Sequence, residues 1–274
     1  MRPLALAPNS PSFLIHAPLI PPFALRELPA SFPSPTMPND LELEEQLDAL
    51  DPLRHLRNDD ELDLVPAQPP SVHNQTLQLA FPSAAGPVTI SLLVDASPGC
   101  GGIAWPAGEV LSTYICRRGS LQGKNVLELG SGTGLVGLAA GVLGAHVWIT
   151  DQAPLLAIMS RNVEMNNLSH CVSVMELNWG EPLPSGLPRF DIILAADCVY
   201  FEPAFPLLVQ TLDDLASRGN PEILFCYKKR RKADKRFFTM LKKKFRWSEV
   251  DDDPEKERYN HDAISLLRLT RKTS

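Results

Sequence analysis

The stretch Asn125 to Asp151 constrains this chain most: an apolar strand runs into a glycine-rich turn, then a helix, then a second strand that ends in an acid. Val126, Leu127 and Leu129 read as a buried strand. Gly130, Gly132 and Gly134 let the backbone turn sharply and approach a ligand with no Cβ atoms in the way. The helix expected over Leu135 to Leu143 points its first N–H groups back at that ligand. After a strand from His146 to Thr150, Asp151 stands where a carboxylate can accept both hydroxyl hydrogens of a ribose. A pocket for an adenosine-type cofactor is the implied outcome.

Spacing separates the cofactor classes. A dinucleotide fingerprint is G-x-G-x-x-G, whereas Gly130, Gly132 and Gly134 form G-x-G-x-G preceded by Glu128. Hydride transfer from a nicotinamide loses ground on that count. A P-loop requires Lys followed by Ser or Thr after the glycines, and Leu135-Val136 stands there instead. What remains is E-x-G-x-G-x-G, the first motif of class I S-adenosylmethionine methyltransferases, in which no pyrophosphate has to be cradled. Glu128, Gly130, Ser131, Gly132, Gly134 and Asp151 are therefore the candidate cofactor contacts of this unit.

The bulk properties exclude several other classes. A length of 274 residues suits one large domain or two small ones, and 44% hydrophobic content leaves room for a sizeable core. A net charge of -6 argues against general nucleic-acid affinity. The five cysteines, Cys100, Cys116, Cys171, Cys198 and Cys226, have neither metal-ligand spacing nor a disulfide pattern, so they read as reduced thiols of a cytoplasmic protein. No apolar run is long enough to span a bilayer, and no membrane association is expected.

Organisation along the chain is uneven. Residues 1–39 hold ten prolines, which forbid the continuous helix of a targeting peptide, so a disordered extension is expected; Met37 is an alternative start. Residues 40–71 read as an acidic linker, with ten carboxylates between Asp40 and Asp63 and a short helix around Leu41 to Leu50. Thr76 to Phe81 and Val88 to Val94 alternate apolar and polar residues on either side of Ser83-Ala84-Ala85-Gly86 and predict a β-hairpin. A single domain from residue 72 to 274 follows, with helices expected at Ala107 to Arg117, Pro154 to Asn166, Ala204 to Ala216 and Lys232 to Lys244. Strands are expected at Val172 to Leu177, Phe190 to Ala196, Glu222 to Cys226 and Ile264 to Leu269, with a further one at Arg246 to Asp251. Strands alternating with helices predict an α/β fold whose parallel sheet is covered on both faces.

A second constellation lies on the strand Phe190 to Ala196, which runs into Asp197-Cys198-Val199-Tyr200. A D-x-x-Y at the carboxyl end of that strand lies beside the cofactor in an open parallel sheet. Together with Trp105-Pro106-Ala107-Gly108, Asn162, Asn166 and Asn178-Trp179, this pattern resembles the seven-strand methyltransferases of superfamily 16, which modify lysines of non-histone proteins. Ala195 to Phe205 and Tyr227 to Arg236 resemble the fungal elongation factor methyltransferase six family, described as methylating a lysine of translation elongation factor 1-alpha. The likeness covers residues 72 to 272.

The resemblance implies a Rossmann-like seven-strand fold with an N-terminal β-hairpin extension, a protein-lysine N-methyltransferase activity, and S-adenosyl-L-methionine as cofactor. It implies that Trp105, Asn178, Trp179 and Ala196 join the glycine turn and Asp151 around the cofactor, with Trp179 flanking the adenine and Asn178 meeting its edge. Trp105 either closes over the cofactor or is a core tryptophan. Asp197 and Tyr200 are the expected catalytic pair: Asp197 holds the incoming lysine ammonium without acting as a general base, and Tyr200 lines the channel. Asp197 could instead cap the helix starting near Pro203. Cys198, with no base nearby in sequence, reads as a buried thiol.

The run Lys228 to Arg246 holds eleven Lys or Arg and one acid, Asp234. Phe237, Leu241 and Phe245 at i+4 spacing make it an amphipathic helix with a solvated charged face, suited to a protein or ribosomal partner more than to direct nucleic-acid binding. A monomer acting on a protein substrate, elongation factor 1-alpha by resemblance, is the resulting expectation.

Overall fold

The computed structural model describes residues 73–97, 99–230 and 234–272. The expected proline-rich extension, the acidic linker and the helix around residues 41–50 lie outside the described residues.

The hairpin forms as expected, with β1 (Gln75–Phe81) antiparallel to β2 (Val88–Val94). Its pattern is one-sided: Val88, Ile90, Leu92 and Val94 are buried, and the residues between them are more open. The rest of the domain is a seven-stranded sheet of β3 (Asn125–Leu129), β4 (His146–Asp151), β5 (Val172–Glu176), β6 (Ile192–Ala196), β7 (Glu222–Lys228), β8 (Phe245–Glu249) and β9 (Ile264–Arg271), in the order β5-β4-β3-β6-β7-β9-β8.

Five of these strands are parallel, and β9 is antiparallel to both β7 and β8. This corrects the expectation of a parallel sheet. From β8 the chain returns through one short helix that does not recross the sheet, so β9 must run back the other way into the gap beside β7. Hydrophobic periodicity marks a strand and carries no information about its direction.

Helices α1 (Pro106–Arg118), α2 (Leu135–Val142), α3 (Leu156–Met165), α4 (Phe205–Ser217), α5 (Asp234–Lys244) and α6 (Lys256–His261) cover the sheet. Pro106 stands in the first turn of α1, where a missing N–H costs nothing, and Gly119 ends it. In α4, Phe205, Leu208, Val209, Leu212, Leu215 and Ala216 recur at helical spacing and are buried. Alternation along the central strands divides the core in two. Val126, Ile192 and Leu194 face α1, α2, α3 and the hairpin, while Leu127, Leu129, Ile193 and Ala195 face α4 and α5.

The hairpin is held by two side-chain amides. Asn162 Oδ1 accepts the Leu93 N–H at 2.6 Å while its Nδ2 donates to the Leu93 carbonyl at 3.1 Å. Asn166 repeats the pair one turn on, with the Ser91 N–H and carbonyl at 2.9 and 2.7 Å. Two residues on one helix face thus satisfy an exposed strand edge as a neighbouring strand would.

Candidate active site

The sheet order reverses at β3, which has β4 on one side and β6 on the other. A crevice must open there at the carboxyl ends of the strands. It is a cavity of about 460 Å³, within the usual range for a small-molecule site.

The glycine turn forms its floor. Gly130 and Gly132 have φ of 60° and 55°, values that side chains rarely adopt. A Cβ on Gly130 would lie 2.9 Å from the Trp179 ring and 3.0 Å from Cys198 Sγ; one on Gly132 would lie 2.5 Å from the Gly101 carbonyl oxygen. Each glycine therefore allows a specific close approach. Ser131 closes the turn: its N–H donates to the Thr150 carbonyl at 3.0 Å, and its hydroxyl accepts the Thr150 N–H at 2.9 Å and donates to the Glu128 carbonyl at 3.1 Å. Gly134 differs from the expectation. It lies off the cavity at the start of α2, donating its N–H to the Ser131 carbonyl at 2.7 Å, and a Cβ there would press on Ile149 at 3.0 Å.

Two acids frame the turn. Asp151 Oδ2 accepts the Gly132 N–H and Oδ1 the Gln152 N–H, both at 2.8 Å, so each oxygen keeps a lone pair for a diol. Burial raises its carboxyl above the ordinary value, and those two N–H groups pull the other way. Glu128 is buried behind the turn and accepts the Gly137 N–H at 2.8 Å; burial lifts its carboxyl to about 8. It also borders the cavity, but its hydrogen bond anchors α2.

The aromatic walls come from separate segments. Trp179 is half-buried against the turn, and Trp105 is half-buried at the start of α1, its indole N–H donating to the Cys100 carbonyl at 2.8 Å. Asn178 lines the cavity, yet its NH₂ is turned toward Glu176 and Glu181, at 3.1 and 3.4 Å. Ala196 lines it from the end of β6.

Beyond β6 the chain bends at Asp197, whose φ of 55° is a left-handed value that Asp tolerates better than most residues. Such strain collects at functional sites. The Asp197 N–H continues the ladder to the Cys226 carbonyl at 2.9 Å, and its carboxylate accepts the Lys228 N–H at 3.0 Å. The same carboxylate takes a two-pronged ion pair from Arg230, Nη1 to Oδ1 at 2.9 Å and Nη2 to Oδ2 at 3.0 Å. Asp197 caps no helix: the turn at Glu202–Ala204 and α4 start at Phe201 and Ala204 instead. Tyr200 lines the cavity, hydrogen-bonded to the Cys100 side chain, and burial raises its phenol. Cys198 is buried and its thiol is raised well above normal by burial first, then by the nearby carboxylates, which makes it a poor nucleophile.

Sequence reasoning missed Arg230 and Cys100. Arg230 was counted within a solvated basic face, but its side chain is 7% exposed and lies over the Trp105 ring, 5.7 Å from the centroid. Within α5 the expected two-faced pattern holds, with Phe237 and Leu241 buried and Lys242, Lys243 and Lys244 exposed; Phe245 is buried too, but it begins β8 instead of continuing the expected helix, and Lys228 is a half-buried residue of β7.

S-adenosylmethionine fits this cavity. A paired-acceptor acid, two aromatic walls and a turn bare of side chains match a ribose, an adenine and a short amino-acid tail respectively. Among the described residues no cluster of His, Cys, Asp or Glu could hold a metal ion, and no helix is long and apolar enough to cross a membrane.

The chain is similar to known proteins. A family model described as lysine methyltransferase matches residues 87–244. Protein-lysine N-methyltransferase EFM6 of Saccharomyces cerevisiae is 44% identical over 202 residues, 64% of this chain and 82% of its own length. Protein N-lysine methyltransferase METTL21A of Mus musculus is 43% identical over 165 residues, 58% of this chain and 75% of its own. A T. thermophilus 16S rRNA N2 G1207 methyltransferase, solved in complex with AdoMet and guanosine, aligns with a TM-score of 0.51 at 19% identity. It covers 76% of this chain and 53% of its own, a likeness of fold.

Proposed function

The chain belongs to the lysine methyltransferase family, and from that premise we propose that its substrate is a lysine of translation elongation factor 1-alpha. It is an S-adenosylmethionine-dependent protein-lysine N-methyltransferase. The observation that carries the finer reading is the segment Asp197 to Tyr200 on the cavity wall. With Ala195 to Phe205 and Tyr227 to Arg236, it bears the resemblance to elongation factor methyltransferases. Such a substrate would put the enzyme in the cytoplasm.

Each residue has a proposed task. Asp151 holds the ribose, Trp179 and Trp105 wall the cofactor, and the backbone at Gly130 and Gly132, bare of side chains, lets its amino-acid end approach closely. Asn178 meets the adenine edge through its amide oxygen, since its NH₂ is already engaged. Asp197 and Tyr200 position the acceptor amine. When bound there, S-adenosylmethionine would supply an electrophilic methyl to the amine lone pair and would leave as the neutral thioether. Alignment at near-attack distance is then the main catalytic contribution of the chain.

Mass spectrometry of elongation factor 1-alpha, incubated with the purified protein and S-adenosylmethionine, tests the reading. A mass increment in multiples of one methyl on a lysine is expected. Methylation of a different protein in a lysate, with elongation factor 1-alpha untouched, would overturn the substrate while leaving the enzyme class intact.

A further inference from the structure

Arg230 and Asp197 form a pair that a solvated basic run does not need. Their side chains are 7% and 3% exposed, their contact is two-pronged, and both line the cavity. Arg230 is fixed from three directions: its guanidinium holds Asp197 and lies over Trp105, and its N–H donates to Asp234 Oδ2 at 3.1 Å. A charged pair taken out of water loses its solvation, and stability alone does not explain one at a ligand cavity.

Methyl transfer requires the acceptor lysine to be neutral, and a free lysine holds its proton up to about pH 10.4. A bare carboxylate beside the amine would make that harder, because an opposite charge favours the ammonium form. Resting on the protein-lysine reading above, we propose that Arg230 keeps the acceptor lysine unprotonated. It takes up the charge of Asp197, so that no bare carboxylate stands beside the incoming amine to favour its ammonium form. The amine's proton passes to solvent, and Asp197, tied to Arg230 and the Lys228 N–H, orients the site without holding the proton. Arg230 is thus a positioning residue whose charge selects the reactive form.

The other titratable groups around the pair do not supply that charge. Cys100, Cys198 and Cys226 and the phenol of Tyr200 are all raised by burial and stay neutral. The carboxyls of Asp151 and Asp234 can only favour the ammonium form, and Glu128 behind the turn is raised by burial. Among the described residues lining the cavity, Arg230 is the one Lys or Arg.

The test is the pH dependence of kcat with saturating S-adenosylmethionine and a lysine-bearing protein substrate, which reports ionisation in the bound complex. Arg230→Gln is expected to move the acid limb up by about one to three pH units, so that the rate at pH 7 falls at least tenfold and recovers in alkali. Substrate affinity at pH 7 in the presence of S-adenosylhomocysteine, read by calorimetry, is expected to rise at least tenfold in the same variant, because the freed Asp197 now binds the ammonium. The doubly neutral variant Asp197→Asn with Arg230→Gln leaves no buried charge unpaired. Its limb is expected to return toward the wild-type position, and it serves if the single variant does not fold.

A loss of rate equal at every pH, with unchanged or weaker substrate binding, would overturn the proposal and leave Arg230 a structural residue. If the wild-type protein methylates no lysine, the activity reading falls and this proposal with it. A lysine methylated with an unmoved limb refutes the proposal alone.

Discussion

Asp151 at the end of β4 and Gly132 in the turn after β3 are joined by a hydrogen bond of 2.8 Å, from the glycine N–H to the carboxylate. The acid therefore fixes the turn as well as presenting oxygens to a ligand.

Asp151→Ala removes both roles at once. Charge-assisted hydrogen bonds contribute about 1.5–3 kcal/mol each, so S-adenosylmethionine affinity is expected to fall at least tenfold in a calorimetric titration. Asp151→Asn, which retains one acceptor oxygen, should fall between the two. An unaltered dissociation constant for the alanine variant would rule out Asp151 as a ligand contact.

Gly132 and Gly108 make a matched pair for testing the turn. Alanine at Gly132 must adopt a φ of 55° and put its Cβ 2.5 Å from a backbone oxygen, whereas alanine at Gly108, inside α1, meets no atom nearer than 3.8 Å. Gly132→Ala is expected to destabilise the fold by more than about 1 kcal/mol, and Gly108→Ala to stabilise it by about 0.4–1 kcal/mol. Urea midpoints in the same order for both variants would contradict this account.

How much of this was legible in the sequence depended on how local each feature is. The turn at Gly130 to Gly132, the acid at Asp151 and the strand before Asp197 carry their meaning within a few residues, and all of them reach the cavity. Arg230 does not: it stands among eleven basic residues, and its burial depends on a carboxylate 33 positions earlier. The same holds for Asn162 and Asn166, whose partners in β2 lie 69 and 75 positions away. Gly134 shows the converse limit, since its spacing suggested a ligand contact and its surroundings make it a packing residue beside Ile149.

Asn162 offers a prediction on stability. Its amide, which has no solvent exposure, answers both polar groups of the half-buried Leu93 and also donates to the buried Thr133 carbonyl at 2.9 Å. Asn162→Ala leaves these groups unsatisfied, at about 1–3 kcal/mol each for those that stay dry. Loss of at least that amount in urea unfolding is expected, with faster hydrogen exchange at the Leu93 amide. Exchange at the wild-type rate would mean that the hairpin is held by its apolar face alone.

Glu128 gives stability a pH signature. Burial lifts its carboxyl from the ordinary 4.5 to about 8, so between those values the folded chain holds a proton that the unfolded chain releases. The folded state binds more protons there, and the linkage sign is therefore negative: the contribution is fully present below pH 4.5 and is lost as pH rises through 8. One group with such a difference changes stability by at most about 1.4 kcal/mol per pH unit. Asp151 shifts in the same direction, which adds to the slope at the acid end. Glu128→Gln keeps an acceptor for the Gly137 N–H and removes the titration, so its urea midpoint should vary less between pH 5 and 8 than that of the wild type. Two midpoints falling in parallel across that range would show that Glu128 is ionised in the folded protein, with the Gly137 N–H outweighing its burial.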